Sequence, residues 1–407
     1  MKILQVNCVY NVGSTGKIVY DIHSELLRQG HESLVCYGRG VPVDAPNVIQ
    51  TSREWYSKLS SLRAKLTGVM YGGAYFSTRY LERVILREKP DVVHLQCING
   101  FFVNVYQLVT FLKKHQIKTL LTLHAEFMHT ANCGHSFDCD RWLTGCGKCP
   151  QLKEVGSWFV DNTALSWRKM KQAFDGFDQG LMVASVSPWL MERAKRSPIL
   201  KGKQHVTVYN GLNTEVFHYY QKEEERQALG LPMDRTIVFH ASPNFDDNPD
   251  NIKGGYYVIE LAKRMPEVLF VIAAPYPSQL AVPDNLKLLG SIRDQSLLAR
   301  YYAAADLTVL ASKKETFSMV CAESLCCGTP IVGFQAGAPE MISLPAYSSF
   351  VTYADVEALQ REAIRMLAQP NHKEQIAAEA LPVYSKQRMT EEYIRLYRKL
   401  MGGRGKS

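Results

Sequence analysis

Short apolar runs alternate with stretches of helical periodicity along this 407-residue chain. In the first half, Ile3 to Val9, Ser33 to Tyr37, Val92 to Gln96, Thr119 to Leu123 and Leu181 to Val186 are too short for helices and rich in apolar residues, which predicts buried strands. A charged connector, HYYQKEEERQALGLP at 218–232, precedes a second series: Thr236 to His240, Leu269 to Ala273, Leu286 to Gly290, Leu307 to Ala311 and Ile331 to Phe334. Strands alternating with helical patterns predict parallel α/β architecture, here as two doubly wound sheets with a cleft between them. The tail from Lys386 to Met401 has helical spacing.

Composition agrees with a soluble enzyme of two domains, at 46% hydrophobic and 21% charged residues. No apolar run approaches the ~20 residues needed to span a bilayer, and Gln5 and Asn7 interrupt the opening MKILQVNCV, which reads as a first strand rather than a signal peptide. Ten cysteines without such a signal point to a reducing, cytoplasmic setting, with thiols or metal ligands rather than disulfides. The net charge of +8 is uneven: residues 1–200 hold 24 basic and 16 acidic side chains, and residues 201–407 hold equal numbers. Residues 51–90 carry eight basic and three acidic side chains among Trp55, Tyr56, Leu59, Leu62, Leu66, Val69, Met70, Tyr71, Tyr75, Phe76 and Tyr80. That mixture suits peripheral contact with an anionic membrane, at the inner face of the plasma membrane, or an acceptor joined to a lipid diphosphate. The alternative is one or two amphipathic helices packed by their apolar face. No helix-turn-helix, zinc-finger or RNA-binding pattern accompanies the charge, so no nucleic-acid partner is expected.

Three segments carry candidate chemistry. In DLTVLASKKETFSMVCAESLCCGTPIVGF, residues 306–334, the order is strand, loop, helix, turn, strand. With the helix starting near Ser318, Glu315 sits on the loop beside free backbone N–H groups that favour anions, and Glu323 lies on the second turn, able to accept from two adjacent hydroxyls. A loop carboxylate, a phosphate-binding helix start and a ribose-binding carboxylate make a nucleotide-sugar site. The first strand opens into Asn11-Val12-Gly13-Ser14-Thr15-Gly16-Lys17-Ile18, where glycines permit close backbone approach. It is not a P-loop: two residues separate Gly13 from Gly16, and Ile18 replaces the magnesium-binding Ser or Thr. Cys133, Cys139, Cys146 and Cys149 fall within seventeen residues. Four thiolates can form a tetrahedral structural zinc site, with His129 and His135 as substitute ligands; free thiols are the alternative.

Glu-x7-Glu followed by Cys-Gly-Thr-Pro-Ile-Val resembles the donor-site signature of the retaining glycosyltransferases of family 4, which have the GT-B fold of two Rossmann-like domains facing a cleft. The N-terminal glycine loop, Thr122-Leu123-His124, Asn210-Gly211-Leu212, Lys253-Gly254 and Tyr301 to Asp306 agree in order. The resemblance implies an acceptor-side domain at 1–205 with a Cys-rich insert at about 129–150, a nucleotide-sugar domain at 206–385, and a final helix within 386–407 that crosses back to the first domain. It implies catalytic roles for His124, Lys253 and Glu315. Lys253 would neutralise the donor diphosphate, Glu315 would hold a sugar hydroxyl, and His124 would bond another. Gly13, Gly16, Phe317, Ser318, Met319, Val320 and Glu323 would bind the donor, and no metal would serve the chemistry. Some relatives share a four-Cys insert. The activity implied is hexosyl transfer from a nucleotide-diphosphate sugar to a glycan or lipid-linked glycan acceptor, of the bacterial capsule, O-antigen or colanic-acid type. Two departures stand out. Ala125 and Glu126 follow His124 where relatives have Asp, so Glu126 is a candidate substitute. No Arg lies between Arg235 and Lys253, where three Asp occur instead, leaving Arg293 to compensate. Alternatives of the same fold are a catalytically impaired nucleotide-sugar-binding or scaffold protein, and a nucleotide-sugar 2-epimerase.

Overall fold

The computed structural model describes residues 1–370 and 372–402. They form two compact units, Met1–Tyr209 with the chain from Met389 onward, and Asn210–Arg388. In the first unit, seven strands run parallel: β1 (Lys2–Asn7), β2 (Glu32–Tyr37), β3 (Val48–Gln50), β4 (Val92–Leu95), β5 (Thr119–Leu123), β6 (Leu181–Ser185) and β7 (Gln204–Thr207), in the order β3-β2-β1-β4-β5-β6-β7. The central strands are buried along nearly their whole length, as expected of a parallel sheet covered on both faces. The helix α1 (Gly13–Arg28) turns Ile18, Ile22 and Leu26 onto this sheet.

The C-terminal helix Lys386–Leu400 belongs to the same core. Its Met389, Tyr393 and Tyr397, four residues apart, pack with Ile3, Val92, Leu120 and Met182. Two polar contacts fix its register: Tyr397 Oη lies 2.8 Å from Nδ1 of His94 on β4, and His94 Nε2 lies 2.8 Å from Thr122 Oγ1. Burial holds the His94 pKa well below its ordinary value, so the ring is neutral, with one donor and one acceptor nitrogen for these two hydroxyls.

The second unit has six parallel strands: β8 (Ile237–Ala241), β9 (Leu269–Ala273), β10 (Leu286–Leu288), β11 (Leu307–Leu310), β12 (Ile331–Phe334) and β13 (Ser348–Val351), in the order β10-β9-β8-β11-β12-β13. The winding reverses between β8 and β11 here, and between β1 and β4 in the first unit. Three strands that the hydrophobic pattern does not predict, β3, β7 and β13, all lie at sheet edges, where one side has no strand neighbour and the apolar run weakens. The charged segment at 218–232 is not a linker. It forms the helix Lys222–Ala228, whose Arg226 is buried with its Nη2 2.6 Å from Asp306 Oδ2 and its Nε donating to the Ala304 carbonyl.

All five tryptophans lie in the first unit, so their fluorescence reports its unfolding alone. Removing the Tyr397 hydroxyl in Tyr397→Phe is expected to cost about 1 kcal/mol. Emptying the site in Tyr397→Ala is expected to cost roughly 3–5 kcal/mol. Urea unfolding followed by tryptophan emission checks both.

Candidate active site

The residues that the sequence singles out in the second unit converge at the carboxyl ends of β8 and β11. After β8, the chain makes a loop of Asx contacts: Asp246 accepts from the Asn248 N–H and from Asn251 Nδ2, and Asn251 Oδ1 accepts from the Lys253 N–H at 3.0 Å. Gly254 then turns with φ +72°, so close to β11 that a Cβ would lie 2.1 Å from the Ala311 carbonyl oxygen. Lys313 N–H donates to Ile252 O at 2.8 Å, which ties the two loops together. The outcome is a lysine held at one place: Lys253 Nζ stands 2.7 Å from Glu315 Oε1, both side chains about one-fifth exposed.

Glu315 is itself fixed by backbone, its N–H donating to Ala336 O and its carbonyl accepting from the Ala338 N–H. Phe317 is buried, and Ser318 takes φ +82°, an unusual value for a side-chain-bearing residue, before the helix Met319–Cys326 begins. Ser318 Oγ caps that helix by accepting from the Cys321 N–H. Met319 and Val320 occupy its first turn, and the half-buried Glu323 accepts from Tyr302 Oη at 3.1 Å. Tyr302, which orients Glu323, was passed over by sequence reading, since its contact leaves no periodic signal. A second such group is His240 on β8, whose Nδ1 lies 3.0 Å from the Val309 carbonyl. Burial, with a further contribution from the Lys253 charge, brings its pKa down to about 4. Arg293 is exposed on the loop after the edge strand β10, and Arg235 is engaged with the carbonyls of Pro266 and Glu267.

In the first unit, Gly13 (φ +64°) and the buried Gly16 open α1 beyond β1, with Asn11 N–H donating to Gly16 O. His124 follows β5 directly. Its Nε2 is 3.2 Å from Gln96 Oε1, and Gln96 Nε2 in turn donates to Gln5 Oε1 at 2.8 Å. The carbonyl-type acceptor requires the proton on Nε2, and burial lowers the His124 pKa to about 4, so the ring is neutral. Glu126 does not take the place of a donor-facing Asp. It is fully buried, accepts from the N–H and hydroxyl of Ser136, and pairs with Arg193 Nε at 2.5 Å. Burial opposes its charge, but the His129 ring, the Arg193 guanidinium and the Ser136 N–H outweigh it and hold the pKa down to about 2.

Glu126 thereby anchors the Cys-rich segment. Cys133, Cys139, Cys146 and Cys149 line one cavity of ≈ 10 Å³ with Trp142, and all four thiols are free. The donor set suits zinc, yet among the described residues no group of three or more His, Cys, Asp or Glu side chains is arranged to hold a metal ion. Cys133 Sγ accepts from Gln151 Nε2, and Cys146 Sγ donates to the Thr130 carbonyl. Burial pushes the thiols of Cys133 and Cys146 up to about 12. The segment is held instead by Glu126, Arg193 and Ser136, and by the Trp167 indole N–H on the Trp142 carbonyl.

Two parallel doubly wound units, the second with a lysine and two carboxylates at its switch point, define the class. Residues 15–216 match the model of Glycosyltransferase Family 4, and residues 236–369 match that of Glycosyl transferases group 1. The chain belongs to the GT-B glycosyltransferases built from these two domains. It is 23% identical over 98% of its length, and 100% of the relative's, to a putative colanic acid biosynthesis glycosyl transferase, WcaC, of Escherichia coli K12. Among solved structures it resembles a sucrose-phosphate synthase from Thermosynechococcus elongatus, with TM-score 0.69 and 16% identity over 99% of this chain and 100% of the other. It also resembles Anabaena HepE, solved in complex with UDP-glucose, with TM-score 0.61 and 16% identity over 98% and 100%.

Two outcomes follow from this geometry. Gly254→Ala adds a Cβ into the Ala311 carbonyl at a left-handed φ, and a loss of roughly 2 kcal/mol is expected, lowering the calorimetric melting temperature of the second unit by about 4–8 °C. Because the folded-state pKa of Glu126 is depressed, its stabilisation is complete above the ordinary carboxylate pKa of about 4.3 and is lost as pH falls toward 2. Glu126→Gln is therefore expected to cost about 3 kcal/mol at pH 7, with the gap to wild type narrowing in urea titrations between pH 5 and pH 3.

Proposed function

We propose that the protein is a retaining transferase that moves a hexosyl group from a nucleoside-diphosphate sugar to a growing surface polysaccharide or its lipid-linked precursor, at the inner face of the plasma membrane. The observation that carries this reading is the Lys253–Glu315 pair, 2.7 Å apart beside the start of the helix that bears Glu323. The ammonium has three donor directions, and Glu315 uses one, leaving others for phosphate oxygens. Helix N–H groups at Met319 and Val320 add a favourable field for the same anion. Glu323, oriented by Tyr302, is suited to accept from ribose hydroxyls. The relatives lend direction to the rest: WcaC for the polysaccharide, HepE for a UDP-sugar donor.

In this reading the bond from the anomeric carbon to the diphosphate oxygen breaks, and the diphosphate leaves with the electron pair. The acceptor hydroxyl bonds to the same face, and its proton passes to the departing phosphate oxygen. Lys253 balances the charge that grows on that oxygen, a role strongest in the transition state. Glu315 holds a sugar hydroxyl, with Phe317 and Ser318 shaping the backbone beside it. His124, donating from Nε2 to Gln96, offers a fixed neutral ring to the sugar, and the Gly13 to Gly16 turn allows close backbone approach.

Lys253→Ala is expected to lower kcat about 10²–10³-fold. Glu323→Ala is expected chiefly to raise the donor KM, and proton NMR of the product to show the donor's anomeric configuration. An inverted product would overturn the retaining mechanism. Nucleotide binding without transfer or hydrolysis by the wild type would favour the impaired scaffold protein, given the absent Arg before Lys253.

A further inference from the structure

Helix α2 (Glu54–Thr67) is inside out. Surface helices turn their large apolar side chains inward and their polar ones to water. Here Ser57, Ser60 and Ala64, at i, i+3 and i+7, are buried, whereas Trp55, Leu59, Leu62 and Leu66, at i, i+4, i+7 and i+11, face solvent. Trp55 is 63% exposed and Leu59 54%. The inward face is small because the neighbouring chain lies close: a Cβ on Gly73 would stand 3.2 Å from Ser60 Cβ, and Ser57 Oγ lies 3.0 Å from Ser52 Oγ.

The outward stripe continues at both ends. On one side, Phe76, 78% exposed, and Tyr80 of α3 (Tyr75–Glu88) join Trp55, Tyr56 and Leu59 around an apolar groove of ≈ 470 Å³. At the other end, Trp158 N–H donates to the Lys65 carbonyl, the Lys65 ammonium lies 5.5 Å from the Trp158 ring, and Phe159 beyond it is 80% exposed. Around this apolar surface stand the exposed Arg53, Lys58, Arg63, Arg79 and Arg83. The nearby acids are already engaged, Glu54 with Arg39 and Glu82 with Gln107.

We propose that this face docks flat on an anionic lipid bilayer, with Trp55, Leu59, Leu62, Leu66, Phe76 and Phe159 entering the headgroup and acyl boundary. Charge complementarity selects this occupant. Exposed tryptophan and phenylalanine ringed by exposed Arg and Lys match an interface of apolar chains beneath anionic headgroups, and α2 at 14 residues is too short to cross it. Among the described residues, no helix is long and apolar enough to cross a membrane. The proposal deepens the membrane-face localisation given above, and its test reads lipid binding apart from sugar transfer, so the two can fail separately.

The test is co-sedimentation of the full chain with vesicles of phosphatidylcholine alone or mixed with phosphatidylglycerol. Wild type is expected to pellet with the mixed vesicles only, with a blue shift of tryptophan emission as Trp55 and Trp158 leave water. Trp55→Ser with Phe76→Ser and Phe159→Ser should weaken binding at least tenfold, as should Lys58→Glu with Arg79→Glu, while nucleotide-induced thermal stabilisation stays as in wild type. No vesicle binding, equal binding to both vesicle types, or binding unchanged in the variants would overturn the proposal. So would a dimer in solution that the apolar variants dissolve, which would assign the face to a second copy.

Discussion

Where a parallel sheet reverses its direction of winding, two neighbouring strands send their following segments to opposite faces, and the backbone at their carboxyl ends is left uncovered. In the second unit that place lies between β8 and β11, and the candidate donor chemistry gathers there. The constraint is tightened by backbone contact. Gly254 against the Ala311 carbonyl leaves no room for a side chain, so the segment before Lys253 is pressed onto the end of β11, and the lysine meets Glu315. A substituent of one carbon at Gly254 would displace the backbone of the adjacent residue, which carries the charge.

The electrostatics are arranged around that charge. His240 beneath it is buried and neutral, so it adds no second cation to compete with Lys253 for an anion. Glu315 neutralises the ammonium in the unliganded protein and, by the same pairing, fixes where a phosphate would find it. The segment in which the family resemblance implies an arginine is here a self-bonded turn of Asp246, Asn248 and Asn251. Its hydrogen bonds position the Lys253 N–H, so rigidity of placement stands where extra positive charge was expected.

Much of this was legible in the sequence, for specific reasons. Central parallel strands are buried on both faces and are therefore largely apolar, so β1, β5, β8 and β11 announce themselves. Glu315, Ser318 and Glu323 were readable because a strand, a loop and a helix start lie consecutively in the chain. What stayed hidden depends on contacts distant in sequence. Edge strands β3, β7 and β13 are short and partly polar, and the burial of Arg226 within a charged connector depends on Asp306, eighty residues on. Glu126 follows the candidate His124 but is consumed by Ser136 and Arg193. Cysteine spacing brought four thiols to one cavity without arranging them as metal ligands. Periodicity marked α2 as amphipathic, yet it could not say which side faces water, and the apolar stripe faces out.

Hydrogen–deuterium exchange of the whole chain, with and without saturating UDP or GDP, addresses the donor site most directly. Slower exchange confined to residues 252–255 and 315–323 is expected with one of the two nucleotides, and it should vanish in Lys253→Ala. Unchanged exchange in both segments with either nucleotide, or protection only around Gly13 to Gly16, would contradict a donor site built on Lys253 and Glu315.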